Sequence, residues 1–296
     1  MKTLRENITN LFGSKGKTWL DELPMFINKI SEEWHLKNIT PVENMTYNYV
    51  AKAIAHNDQP VVLKISCDEK SIDDEKNALE YFNGDASIRL LNFNKKYNAL
   101  LLQQAIPGVT LKSFYPAEVE FVIDCYVTTI QKLHTKTIST NHQFRHVSDW
   151  LQSIDKVGPN KMSENLLHKA ILLKNKLLAT LSKQIVLHGD LHHDNILKNE
   201  SDWIAIDPKG IIGEPEFEVA AFDFMHDSEL ENEVNIQKIF TKRTNVIAKK
   251  ANLNAKRIQE WVFVRLILSA VWSIEDNGDP RWAIKLANQL NPIINV

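Results

Sequence analysis

The chain has 296 residues, 44% of them hydrophobic and 24% charged, and a formal charge of −2. This is an ordinary globular composition, long enough for one large or two moderate domains, and it gives no electrostatic case for nucleic acid or an anionic membrane surface. Met1-Lys-Thr-Leu-Arg-Glu-Asn7 has no apolar signal core, no stretch approaches a membrane span, and Cys67 and Cys125 lack CxxC spacing, so a reducing, cytoplasmic setting is expected.

Leu20, Leu23, Ile27, Ile30 and Trp34 recur at helical spacing between Thr18 and Leu36, with Pro24 placed to interrupt or begin a turn. Thr46–Ile54 and Pro60–Ile65 read as strands joined by the turn His56–Gln59. Ile72–Phe82 reads as a helix with Ala78, Leu79 and Phe82 on its apolar side. Ile88–Leu91 and Asn98–Leu102 are further strands. Together these make a small α+β lobe.

The texture changes at Gln103-Gln-Ala-Ile-Pro-Gly108. From Pro116 onward helical periodicity dominates, in Val119–Leu133, Leu166–Leu181 and Val262–Ile274. The expected architecture is therefore α+β and two-lobed. Residues 1–104 form a small lobe with a helical extension, and residues 105–296 form a larger, mainly helical lobe. Ligand sites favour such interlobe clefts.

The helical lobe is broken once, by His188-Gly-Asp-Leu-His-His-Asp-Asn-Ile-Leu-Lys198. Ile185-Val-Leu187 is a short β-type run feeding it. Ile196-Leu-Lys198 and Trp203-Ile-Ala-Ile206 flank the polar turn Asn199-Glu-Ser-Asp202, the pattern of a hairpin. That hairpin would return Asp207 to the side of Asn195, with Leu191 and Ile196 anchoring the loop. Phosphoryl transfer from a nucleotide needs these parts. One carboxylate, Asp190, orients the acceptor hydroxyl and takes its proton, while an amide oxygen, Asn195, and a second carboxylate, Asp207, hold Mg²⁺.

A cation is then expected in the small lobe, and Lys64, a lone charge in Val61-Val-Leu-Lys-Ile65, fits; Glu75 is its partner of choice, with Asp74 and Glu80 as fallbacks. The phosphate-covering turn falls at Glu43–Asn48, where Thr46 and Asn48 stand in for absent glycines. Gln103, Gln104 and Ala105 at the hinge can offer backbone groups to the base of ATP or GTP. Gly13-Ser-Lys-Gly-Lys-Thr18 is no phosphate loop, since it has two residues between its glycines instead of four and no preceding strand.

Other readings of the same residues stay in view. A loop of this composition is often a plain polar turn. His188, His192, His193 and Asp194 could serve zinc, although adjacent histidines before a hairpin match neither helix-face nor strand spacing. His188 is more naturally a brace for the loop.

These segments together resemble the aminoglycoside phosphotransferase branch of the protein-kinase-like fold, and within it the streptomycin 6-kinase or aminoglycoside/hydroxyurea resistance kinases. The likeness rests on Tyr47-Asn-Tyr-Val50, Val62-Leu-Lys64, Glu75 with Ala78-Leu79, Leu100-Leu-Leu102 and Pro107-Gly108. It continues through His188–Asn195, Ile206-Asp-Pro-Lys209, Gly213-Glu-Pro215 and Ser269-Ala-x-Trp-Ser-x-Glu-Asp276. The resemblance implies an ATP- and Mg²⁺-dependent small-molecule kinase acting in antibiotic resistance. Asp190 would be its base, Asn195 and Asp207 its metal ligands, and Lys64 with Glu75 would serve the phosphates. Glu218 departs from the pattern, standing where the family usually has aspartate.

A cationic acceptor calls for carboxylates near the reacting hydroxyl. Asp149, Asp227, Glu275 and Asp276 are the candidates, with Asp279 next to them, and Trp272 and Trp282 are placed to stack on a sugar or guanidino group. A metabolic sugar or amino-alcohol kinase and a catalytically silent nucleotide-binding pseudokinase are the alternatives. The acceptor, the choice between ATP and GTP, and the oligomeric state stay open.

Overall fold

The computed structural model describes residues 1–138, 144–158, 161–181, 183–232 and 235–296. Its first helix, α1 (Lys2–Glu33), folds back at Gly13, whose φ of 55° and ψ of −125° lie outside helical space. Glycine tolerates that conformation because it has no Cβ. At Gly16 a Cβ would stand 2.4 Å from the Ile8 carbonyl oxygen, so a second glycine lets the two arms touch. The Gly13–Thr18 segment is thus a helical elbow.

The helix starts well before Thr18 because Leu4 and Ile8, one turn apart, bury against Trp19, Leu20, Leu23 and Ile30. Pro24 sits inside α1 without ending it. Its ring is exposed, and the packed leucines and isoleucine around it offset the roughly 3 kcal/mol that an interior proline costs.

Strands β1 (Lys37–Pro41), β2 (Asn48–Ile54), β3 (Pro60–Ser66), β4 (Leu90–Asn94) and β5 (Ala99–Gln103) form one antiparallel sheet in the order β1-β2-β3-β5-β4. The edge strand β1, mostly exposed and polar, carries none of the alternation that marks its neighbours. Alternation in β3 decides the chemistry. Val61, Leu63 and Ile65 pack under α1, so Val62 and Lys64 face the other way, beside Leu100 and Leu102. Helix α2 (Glu69–Phe82), capped by the Asp68 carboxylate on the Lys70 N–H at 3.0 Å, covers that second face with Ile72, Glu75 and Leu79.

Beyond the hinge, β6 (Pro107–Thr110) pairs with the hairpin of β9 (Ile196–Asn199) and β10 (Asp202–Ala205). A second small sheet joins β7 (Arg145–His146), β11 (Ile211–Gly213) and β8 (Ile185–Leu187), so this lobe holds more strand than its periodicity announces. The helices are α3 (Val119–Leu133), α4 (Val147–Asp155), α5 (Glu164–Ala179), α6 (Pro215–Val219), α7 (Asp227–Glu231), α8 (Ile236–Ala251), α9 (Ala255–Glu275) and α10 (Arg281–Leu290). Helix α9 is apolar nearly all round and forms the centre of the large core through Trp261, Phe263, Val264, Ile267 and Leu268.

The lobes meet over a third apolar cluster of Ile72, Leu79, Ile88, Leu100, Leu102, Ala105 and Ile204, with Val62 and Ile206 packed on it. The Ile88 N–H to Ala205 carbonyl bond (2.9 Å) and the Ala205 N–H to Ala86 carbonyl bond (2.7 Å) stitch the seam. Among the described residues no helix is long and apolar enough to cross a membrane.

Candidate active site

Lys64 lies opposite Val50 on β2 and Leu100 on β5, and its side chain is nearly buried. Its Nζ stands 2.5 Å from Glu75 Oε2 and 2.5 Å from Asp207 Oδ1. Burial alone would lower the ammonium pKa, but Asp207 and then Glu75 outweigh it and hold the group protonated. Asp74 pairs with Arg145 instead (2.6 Å), and Glu80 with Lys76 (2.7 Å).

The β9–β10 hairpin pairs Asn199 with Asp202 and Ile196 with Ala205. One step on, the Ile206 N–H donates to the Asn195 carbonyl at 2.9 Å, which sets Asp207 beside Asn195. Asp207 has φ of +62° and its two carboxylate oxygens face two cations, Lys64 at 2.5 Å and Lys209 at 3.0 Å. Burial would raise its pKa, yet Lys209 and Lys64 push it far below the carboxylate range. Lys209, about a third exposed, is pushed up in return by Asp207.

Asn195 donates its Nδ2 to the Asp190 backbone carbonyl at 2.9 Å. That bond assigns the amide orientation, so Oδ1 is the atom that would ligate a metal. An amide oxygen plus one carboxylate suits Mg²⁺, which draws its remaining oxygens from phosphates and water instead of an all-protein cage. Among the described residues no three His, Cys, Asp or Glu side chains gather as a metal cluster.

The histidines have other partners. His188 is fully buried, donating from Nε2 to the Ile206 carbonyl (2.8 Å) and accepting at Nδ1 from the Asp190 N–H (3.3 Å). Burial holds it below the usual imidazole pKa, so it stays neutral and braces the loop. His193 Nδ1 turns to Asp223 at 3.2 Å. The zinc arrangement therefore has no geometric basis.

Glu218 turns its departure from aspartate into an anchor. Fully buried, it accepts the His188 N–H at 2.6 Å and the Gly189 N–H at 2.9 Å. Burial would raise its pKa, but the His134 hydrogen bond and the nearby imidazoles more than offset that. Gly189 has φ of +87°, and a Cβ there would meet Ile211 at 2.9 Å and Trp150 at 3.1 Å. Only glycine passes the chain through this gap.

Asp190 is about a third exposed at the cleft, and its Oδ1 accepts from Arg265 Nη2 at 2.8 Å. Burial works against its ionised form, but Arg265 and Lys209 prevail and keep the carboxylate below its ordinary pKa. Arg265 comes from α9, lies over the Phe217 ring, and buries its Nη1 without a hydrogen-bond partner. Neither Arg265 nor Lys209 stood among the expected site residues. The signal was available: Arg265 is a lone charge within Trp261–Ala270, an otherwise apolar helical run, and a buried charge implies a partner.

Asp190 opens onto a cleft of about 880 Å³. Asp149 and Asp276 line it, with Trp150 and Trp272, whose rings meet edge to face at 5.4 Å. Asp149 also caps α4, accepting the His146 N–H at 3.1 Å. Burial raises the Asp276 pKa, and Asp276 in turn helps raise that of Tyr47 across the cleft. Two expected acceptor residues lie elsewhere. Asp227 is exposed in the first turn of α7, and Glu275, in the last turn of α9, faces solvent while its neighbour Asp276 turns inward. Trp282 packs on the large core and is absent from the cleft wall.

Thr46 is exposed in the turn before β2, and Asn48 begins that strand opposite Ser66. Ala105 belongs to the interlobe apolar cluster. Gln103 faces away from it, because Leu102 takes the cleft side of β5. The Gln103 N–H bonds the Arg89 carbonyl at 2.9 Å and its side-chain oxygen accepts the Arg89 N–H at 3.3 Å.

A five-stranded sheet, a lysine–carboxylate pair on its inner face and a catalytic loop closed by a hairpin define a small-molecule kinase of the protein-kinase-like fold. Solved structures agree on the fold. Aminoglycoside phosphotransferase APH(4)-Ia, in complex with ADP and hygromycin B, superposes with a TM-score of 0.66 at 12% identity over 89% of this chain and 96% of that one. Choline kinase LicA from Streptococcus pneumoniae gives 0.65 at 15% identity over 92% and 98%. This chain belongs to the aminoglycoside/hydroxyurea antibiotic resistance kinase family, whose model matches residues 33–277. It is 23% identical over 300 residues to a streptomycin 6-kinase of Streptomyces glaucescens, covering 97% of this chain and 95% of that protein.

Proposed function

We propose that this chain transfers the γ-phosphoryl group of ATP to a hydroxyl of a streptomycin-like aminoglycoside and so confers resistance. The carrying observation is the convergence of three segments: Lys64 of β3 pairs with Asp207 beyond β10, and the loop holding Asn195 ties it to the Asp190 carbonyl and presents Asp190 to the cleft. Asp190 holds the acceptor hydroxyl and receives its proton as the oxygen bonds to phosphorus. The bond from phosphorus to the bridging oxygen breaks, and ADP leaves. Asn195 and Asp207 would hold Mg²⁺, which supplies charge neutralisation on the phosphates. Lys64, positioned by Glu75, pairs with the nucleotide phosphates, and Thr46, Asn48 and Ala105 border the nucleotide. Residues 1–104 act as the nucleotide lobe and residues 105–296 as the catalytic and acceptor lobe.

Streptomycin carries guanidinium groups, and Asp149 and Asp276 beside two indoles suit such cations. The same features suit a quaternary amine, which keeps an amino-alcohol kinase as the second reading. Incubating the protein with Mg-ATP and either streptomycin or choline, and locating the phosphate by NMR, separates them. Phosphorylated streptomycin, together with raised streptomycin tolerance in a host expressing the chain, is the expected result. Phosphocholine alone selects the second reading.

A further inference from the structure

The cleft has a wall that the catalytic reading leaves unused. Asn7, Asn10 and Leu11, all from the first arm of α1, line it together with Asp190, Tyr47 and Asp276. Helical spacing explains their common direction. Leu4 and Ile8 form one stripe buried against the second arm and the sheet, and residues 7, 10 and 11 form the adjacent stripe. The Gly13 elbow and the close approach at Gly16 fix the angle at which the arm returns over the cleft.

Two further observations give the arm a role. Leu11 is 43% exposed, an apolar side chain presented to the cleft where burial in the core would be expected. Asn7 Nδ2 donates to the Thr46 carbonyl at 3.1 Å, tying the arm to the turn before β2 that borders the nucleotide. The arm also lies outside residues 33–277, the part the family model matches, so family membership alone does not assign it a task.

We infer that the first arm of α1 selects the acceptor, Leu11 packing on an apolar ring edge and the Asn7 and Asn10 amides bonding its neutral hydroxyls. This rests on the kinase reading above. Elsewhere the lining carries Asp149 and Asp276, while the arm stripe is uncharged, so the two stretches sort the acceptor by polarity. One end of the molecule is cationic, and the other is hydroxylated and uncharged. The same contact reaches Thr46 through Asn7, which places acceptor recognition one hydrogen bond from the nucleotide turn.

Leu11→Ala, Asn10→Ala and Asn10→Gln test this, because both positions are exposed and leave the buried Leu4 and Ile8 stripe intact. Acceptor KM is measured with streptomycin, hygromycin B and choline, and nucleotide affinity with a fluorescent ADP analogue. The expected result is a rise of about 2- to 10-fold in acceptor KM for each alanine variant, the scale of one net hydrogen bond or contact. Asn10→Gln should recover part of the loss, the ranking of acceptors should shift, and nucleotide affinity should hold. An active wild type whose variants all keep its KM values and ranking overturns the inference and leaves the kinase reading standing. A wild type that phosphorylates none of the acceptors removes that reading and the inference with it.

Discussion

Arg265 Nη2 donates to Asp190 Oδ1 at 2.8 Å, joining the central helix α9 directly to the carboxylate at the cleft. The bond fixes which oxygen of Asp190 is spent and which faces an incoming hydroxyl. It also favours the ionised carboxylate, so in the proposed reaction Asp190 would orient the hydroxyl and accept the proton late, as phosphorus–oxygen bonding develops. Asp190→Asn is expected to lower kcat by about 10²–10⁴ with nucleotide binding retained. Arg265→Met should lower kcat by about 10²-fold through misplacement of the carboxylate, and Arg265→Lys by less. Single-turnover kinetics beside nucleotide titrations distinguish these outcomes. Full turnover in Asp190→Asn would exclude the assignment.

Asn195 uses its amide nitrogen inside the loop, so in the proposed reaction its oxygen would face the metal beside the Asp207 carboxylate, whose oxygens here face Lys64 and Lys209. In Asn195→Ala the Mg²⁺ concentration giving half-maximal rate should rise by at least about tenfold, the scale of damage to a metal's ligand set. The check is a Mg²⁺ titration at saturating nucleotide. An unchanged midpoint would remove Asn195 from the coordination sphere.

Gly189→Ala should destabilise the fold by about 1–2 kcal/mol from left-handed backbone strain alone, with the close approaches of Ile211 and Trp150 adding to it. Urea denaturation measures the loss. A neutral outcome would mean that the loop reaches Asp190 by another path.

Glu218 gives the pH prediction. Its folded-state pKa is below the unfolded value, so its contribution is complete above the ordinary glutamate value of about 4.3 and disappears as pH falls through the depressed one. Thermal melts should be flat in this respect from neutral pH down to about 5 and drop below it. Glu218→Gln should lose about 1.5–3 kcal/mol at pH 7, the range for hydrogen bonds to a charged group, and show a shallower acid fall. A variant as stable as wild type at pH 7 would contradict the anchoring role.

The gathering of Asp190, Asn195 and Asp207 was legible because a loop, a polar turn and two β-type runs leave few ways to connect them. Lys64 stands out as a charge inside an aliphatic strand, and Glu75 is one of several carboxylates on the helix that follows, which only the packing of α2 singles out. Arg265 is hard to read because the apolar run Trp261–Ala270 around it reads as plain core helix. Asp227 and Glu275 carry the right charge, but sequence near a helix end does not settle which way a side chain turns. The arm of α1 is hidden for a different reason. Two buried residues, Leu4 and Ile8, hold it, too few among polar neighbours to mark a helix before its packing partners are known.

The short turn between β9 and β10 works as a ruler. Because paired strands present alternate side chains to opposite faces, one residue gained or lost along either strand would send Asp207 to the wrong side of the hairpin and swap Ile204 with Trp203. The interval from Asn195 to Asp207 should therefore admit substitution far more readily than insertion.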